Sequence, residues 1–269
     1  MQEKLKGEDL TNWLETHKPS CEVNYTGSSN AMEQKAAEIL WLRSEETARF
    51  RYTSMLADGD SSSFSHLQNI KPYGDECDIS KEDCINHVGK RLYTGLQETI
   101  KTWKARGVTL GGKKPGALTM EKMKRLQNYF TAAIKKNAPN VLQMKQAVLA
   151  TPHHCMSTDE KPRHELCPGG TTSWCFFNRA LANDEGPPHH DKKHQTTFID
   201  PKIVEKILPV YERLSSEELM SRCTKLGTQN SNESLHACIW LRQPKHKSTS
   251  KKKLEVPLPI FAQKYCLSL

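Results

Sequence analysis

The sequence predicts an α/β protein that is mainly helical, and three observations predict it. One apolar run, RYTSMLA (51–57), has the composition of a buried strand, and it stands between segments whose apolar residues recur at three- and four-residue steps. A second short strand is expected soon after, so the order helix, strand, helix, strand points to a parallel layer. From about residue 81 onward the periodicity is helical only.

The elements follow in order. Residues 1–30 form a polar lead-in to which the pattern assigns no element, closing on the turn-rich Gly27-Ser28-Ser29. Met32, Ala36, Ile39 and Leu40 share one face of a helix over 31–49, with Ser29 or Asn30 placed to cap it. The strand at 51–57 stops in Asp58-Gly59-Asp60-Ser61, and Phe64, Leu67 and Ile70 mark a short helix. Lys71-Pro72-Tyr73-Gly74 is a turn, and a second strand is expected around 76–80. An amphipathic helix over 81–105 carries Cys84, Val88, Leu92, Leu96 and Ile100 on one stripe. A basic loop at 107–117 leads to helices at 119–136 and 140–150. A Cys/His-rich irregular stretch runs from His153 to Cys175, and a short helix covers Trp174 to Leu181. Residues 183–197, around GPPHHDKKH, read as a solvated loop. Helices return at 200–213, 216–225 and 230–242, and a basic low-complexity linker and tail fill 244–269.

Composition bounds the function. The 269 residues are 36% hydrophobic and 26% charged, which allows a modest core with long polar excursions. A net charge of +8 suits a polyanionic partner, although a solvated basic surface explains it equally well. No apolar run reaches the roughly 18 residues of a membrane helix. The first residues carry no apolar signal core, so an intracellular rather than secreted chain is expected. Nine loosely spaced cysteines in such a chain are free thiols or metal ligands rather than a disulfide framework.

Two acids and two Cys/His motifs carry candidate chemistry. Asp58 follows a buried strand directly, and Gly59 lets a ligand approach the backbone. A carboxylate there suits a hard cation such as Mg²⁺, and a plain turn with a helix cap is the bland alternative. Glu233 lies in the first turn of the last helix, where the helix dipole alone favours a glutamate. Cys84-x-x-His87 and His164-x-x-Cys167, with Cys175 further on, suggest a Zn²⁺ site made of Cys84, His87, Cys167 and Cys175. His164, His154 and Cys155 are substitutes in that set. The competing reading makes Cys84 a buried core thiol and His87 a polar neighbour of the active site. Lys113, Lys114, Lys122, Lys124, Lys135 and Lys136 spread positive charge over the helical region, as phosphate contacts or as a solvated face. Lys245 to Lys253 read as a nuclear-import signal, a DNA-contacting tail or a linker.

Six segments in register give a family resemblance. They are CEVNYTGSSNAME (21–33), RYTSMLADGDSSSF (51–64), EDCINHVGKRL (82–92), LTMEKMKRLQNYFTAAIKKN (118–137), STDEKPRHELCPGGTTSWC (157–175) and TQNSNESLHACIW (228–240). Together they resemble the transposase domain of Mutator-like DNA transposons, in the form common in arthropod genomes. The resemblance implies a ribonuclease-H-like fold interrupted by a large helical insertion, with Asp, Asp and Glu holding Mg²⁺ or Mn²⁺. By motif the second Asp falls on Asp58, with Asp60 as the near alternative, and the Glu falls on Glu233. It also implies DNA (transposon ends) as partner, a homo-oligomer, no membrane and a nuclear location. Residues 31–80 and 228–243 would form the partial core and 81–227 the insertion. The first three strands and the first Asp have no counterpart in residues 1–30, so an N-terminally truncated chain that neither cuts nor joins DNA alone is expected. A non-catalytic DNA-binding or protein-interaction protein derived from a transposase is the alternative, as is a reading frame that begins upstream of Met1. The retained strands are expected to leave an exposed sheet edge.

Overall fold

The computed structural model describes residues 7–21, 25–58, 62–190, 197–242 and 244. The elements in order are α1 (Glu8–His17), α2 (Ser29–Leu42), α3 (Ser44–Ala48), β1 (Ser54–Ala57), α4 (Ser62–Ile70), β2 (Ser80–Asp83), α5 (Ile85–Ala105), α6 (Met120–Asn137), α7 (Val141–Cys155), α8 (Phe176–Ala182), α9 (Pro201–Leu214), α10 (Glu217–Ser221) and α11 (Asn230–Arg242). They fall into two units: Trp41–Thr228, and the residues up to Leu40 together with those from Gln229 onward. Mainly helical with one parallel strand pair among the described residues, the chain is of the mainly helical α/β class.

In the larger unit β1 and β2 pair in parallel, with Ser54 opposite Ser80 and Ala57 opposite Asp83. β1 is shorter than expected because Tyr52 turns its N–H to the Tyr73 hydroxyl (2.9 Å) instead of a ladder partner. β2 begins later than expected, since Gly74–Glu76 is a 3-10 turn. Its sequence, Ser-Lys-Glu-Asp, has no apolar alternation to announce it. The predicted 31–49 helix breaks at Arg43. Buried Ser44 explains the break: its hydroxyl donates to Trp41 O (2.8 Å) and bonds the Tyr73 hydroxyl (2.7 Å), an alternative to the helical ladder.

The β2 edge is covered. Ser80 N and Cys84 N donate towards β1, to Thr53 O and Ala57 O. Asp83 N and Ile85 N donate the other way, to Arg222 O (3.0 Å) and Gly227 O (3.1 Å). Lys225 Nζ reinforces this return segment by donating to Glu82 Oε1 (2.6 Å) and Ser54 Oγ (3.1 Å). The expectation of a bare edge is therefore corrected on the β2 side, and no third strand joins β1 among the described residues.

Most of the core lies in the helical region. Val88, Leu92 and Leu96 of α5, Leu126, Phe130 and Ile134 of α6, Met144 and Val148 of α7, and Val204, Ile207 and Tyr211 of α9 are all buried. Burial of side chains this size contributes about 1.5–3 kcal/mol each before entropy opposes it. Caps set the helix starts: Thr119, Asn140, Asp200 and Ser216 each accept a backbone N–H from the first turn that follows. α7 runs one turn past its predicted end, through Pro152, and so carries His154 and Cys155 on a helix.

The smaller unit holds α1, most of α2, and α11. α1 lies in the lead-in to which no element was assigned. Its Leu10, Trp13 and Leu14 have helical spacing but stay exposed, and Glu8, Asp9 and His17 complement its dipole. α11 has the expected bounds, and its Ile239 is buried.

Candidate active site and Cys/His cluster

Asp58 follows the last residue of β1 and stands at the carboxyl end of the parallel pair, where open α/β sheets bind ligands. α5 starts just beyond β2, and its His87 and Arg91, four residues apart, share a face. His87 Nδ1 and Arg91 Nη2 each lie 3.5 Å from Asp58 Oδ1. Arg91 Nη2 also donates to Asp83 Oδ1 at 2.7 Å, and Arg222 Nε stands 2.9 Å from Asp83 Oδ2.

The two carboxylates differ in what they offer. The Asp83 side chain is 1% exposed and both its oxygens face guanidinium groups, so it is spent on structure. The Asp58 side chain is 58% exposed. A hard divalent cation takes carboxylate oxygens and usually needs only one or two from the protein, and Asp58 fits as one such ligand. Asp60 lies outside the described residues. Glu233 belongs to the smaller unit; it is exposed in the first turn of α11, and its N–H donates to Gln229 O (2.9 Å).

Cys84 and His87 do not join the other Cys/His motif. Cys84 is a fully buried thiol at the start of α5, and His87 faces Asp58. The cluster that does form is His154, His164, Cys167 and Cys175, whose ligand atoms all lie within 4.8 Å of one another. Of the predicted set, Cys167 and Cys175 lie in this cluster together with the substitutes His154 and His164, whereas Cys84 and His87 do not. The cause is local: α7 extends to bring in His154, and the Cys175 thiol sits at the N-cap of α8. The hydrogen bond from Cys167 holds the Cys175 thiol well below the usual range, and its partner Cys167 is raised in turn.

Asp83, Arg91 and Arg222 have no sequence signal of their own, although Asp83, His87 and Arg91 fall at four-residue steps. His190, from the loop expected to be solvated, has a side chain only 5% exposed and bonds Asp159.

The family model of the Mutator-like transposase matches residues 4–175. The chain belongs to this family. The matched segment of the Mutator-like transposase chain contains Asp58, Asp83, His87 and Arg91 as well as all four cluster residues, while Arg222 and Glu233 lie beyond it. No curated protein and no solved structure matches the chain. None of the described helices is long and apolar enough to cross a membrane.

Proposed function

We propose that the chain is a transposase-derived protein that engages DNA through the end of its parallel strand pair, with Asp58 as a metal ligand for phosphoryl transfer. The observation that carries this reading is the exposed Asp58 carboxylate set against His87 and Arg91. Within the family pattern Asp58 and Glu233 take the roles of the second Asp and the Glu of a ribonuclease-H-like triad. Mg²⁺ or Mn²⁺ would supply charge neutralisation at a phosphodiester. Arg91, anchored by Asp83, offers positive charge beside that position, and His87 Nδ1 stands 3.5 Å from the Asp58 carboxylate.

A second reading is non-catalytic DNA binding, favoured by Arg91 at 3.5 Å, which competes for the Asp58 carboxylate. Mn²⁺ titration with paramagnetic relaxation on the full chain separates the two. The metal reading expects Mn²⁺ binding that Asp58→Asn abolishes without changing the melting temperature. Mn²⁺ binding that is absent, or unmoved by Asp58→Asn, removes the metal role. Salt-sensitive DNA binding is expected under both readings, and its absence would remove both.

A further inference from the structure

The irregular stretch between α7 and α8 contains four ligand-type side chains drawn from three places in the fold. His154 comes from the last turn of α7, His164 and Cys167 from the connecting segment, and Cys175 from the N-cap of α8. His164, Cys167 and Cys175 are buried, and His154 is partly so. Cys167 Sγ lies 3.6 Å from His154 Nδ1, Cys175 Sγ lies 3.5 Å from His164 Nδ1, and Cys167 Sγ lies 3.9 Å from His164 Nδ1. Zinc bonds of about 2.3 Å to sulfur and 2.05 Å to nitrogen, at the tetrahedral angle, put a sulfur and a nitrogen about 3.5 Å apart. Two of the three sulfur–nitrogen distances match such an edge, and the third is about 0.4 Å longer.

The surroundings favour a bound cation. The His164 ring stacks on Phe177 with centroids 4.3 Å apart, and the His154 ring packs against Trp174 and Phe176. Two thiols and two imidazoles gathered among aromatic rings are costly to bury unless something compensates them. The Cys175 sulfur accepts the Asn178 N–H at the start of α8, which favours a thiolate. The Asn178 side-chain amide ties down the carbonyls of His164 and Cys167.

An outer layer fixes the ligand rings. His164 turns Nδ1 to the thiols, while its Nε2 bonds Ser157 Oγ (2.9 Å) and His190 Nε2 (3.0 Å). On its far side, His190 Nδ1 bonds Asp159 Oδ1 (2.7 Å), and His190 N donates to the same oxygen. A chain from carboxylate through imidazole to the ligand imidazole sets ring orientation and ligand basicity in metal sites.

The geometry points to a closed, structural Zn²⁺ site formed by His154, His164, Cys167 and Cys175, with the Asp159–His190 pair as its outer support. All four positions are filled by protein, so the site binds metal to hold structure and leaves no position for substrate. Zinc pins the irregular 156–175 segment to α7 and α8, and residues 189–190 dock onto it. The site stands independently of the role given to Asp58.

Metal analysis of the full chain, purified without added chelator, tests this. One zinc per chain is expected. The Co²⁺-substituted protein should show intense tetrahedral ligand-field bands and a thiolate-to-cobalt charge-transfer band. Cys167→Ser and His164→Gln should lose the metal, while His87→Gln should keep it. Should the ligand variants fail to fold, Asp159→Asn serves instead: it leaves the ligands in place and should weaken zinc affinity about 10- to 100-fold. Less than half an equivalent of zinc in folded protein would overturn the proposal. So would a Cys167–Cys175 disulfide in that protein, zinc lost with His87→Gln but kept with Cys167→Ser, or unchanged affinity in Asp159→Asn.

Discussion

Arg222 and Asp83 are joined twice. The Arg222 Nε stands 2.9 Å from Asp83 Oδ2, and the Asp83 N–H donates to Arg222 O at 3.0 Å. The pair ties the end of β2 to the segment returning from the helical region. Removing one partner of a buried ion pair costs about 3–5 kcal/mol. Arg222 is itself about a quarter exposed and Arg91 remains on Asp83, so Arg222→Ala should cost less, about 1–3 kcal/mol. Urea unfolding measures it, and a change under about 0.5 kcal/mol would show the pair contributes nothing beyond a surface bridge.

Asp83 also decides what Arg91 does. It accepts from Arg91 Nη2 at 2.7 Å, whereas Asp58 is 3.5 Å away from the same atom. Asp83→Asn weakens that anchor and lets Arg91 close on Asp58. If Asp58 binds metal, its Mn²⁺ affinity should fall by about tenfold, near 1.4 kcal/mol, the scale of one extra unit charge near a partly exposed carboxylate. The titration that reads Asp58→Asn reads this variant too. Unchanged affinity in a folded Asp83→Asn protein would mean that Arg91 does not compete.

Where apolar periodicity was strong, sequence and structure agree. α5, α6 and α9 stand close to their expected bounds because Val88, Leu92 and Leu96, for example, repeat on one face. β2 has no sequence signal because a strand reading Ser-Lys-Glu-Asp is stabilised by side chains outside it, Arg91 of α5 and Arg222 and Lys225 far along the chain. α1 was missed because its apolar stripe is short and exposed. Asp58 was legible from its place after an apolar run, whereas its neighbours His87 and Arg91 depend on how α5 crosses the strand ends. The Cys/His ligands were recognisable as residue types. Their pairing was not, because it depends on where α7 stops and α8 starts.

Burial pushes the Cys223 thiol up to about 12, and the negative charge of Asp83 adds to it. Its pKa in the unfolded chain is near 8.5. The folded state therefore keeps a proton that the unfolded state releases above about pH 9. Stability from this group is fully present below that pH and declines as pH rises from about 9 to about 12. Alkylation of Cys223, followed by peptide mass analysis, should be negligible in native protein at pH 8 and complete in denaturant. Rapid native labelling would show that the Arg222 segment opens readily from β2.

Gly116 meets α9 where that helix begins. Its φ is +75°, and its carbonyl accepts the N–H of Asp200, the residue whose carboxylate caps α9 by accepting Lys202 N–H at 2.8 Å. A Cβ at this position would lie 2.9 Å from Asp200 N and 3.1 Å from Asp200 Cβ, so backbone rather than a pliable side chain must give way. Left-handed strain costs about 1–2 kcal/mol for alanine. Disturbing the cap adds up to about 1 kcal/mol, and the reduced freedom of the unfolded chain returns about 0.4–1 kcal/mol. Gly116→Ala should therefore destabilise by up to about 2.5 kcal/mol, before the cost of the close contact is added. Gly107 has nearly the same φ, +79°, and open space around its would-be Cβ, so Gly107→Ala reports strain alone. Thermal unfolding of both variants should show the larger loss at Gly116. Equal losses would mean that the turn relaxes freely and that Asp200 and α9 are held by other contacts.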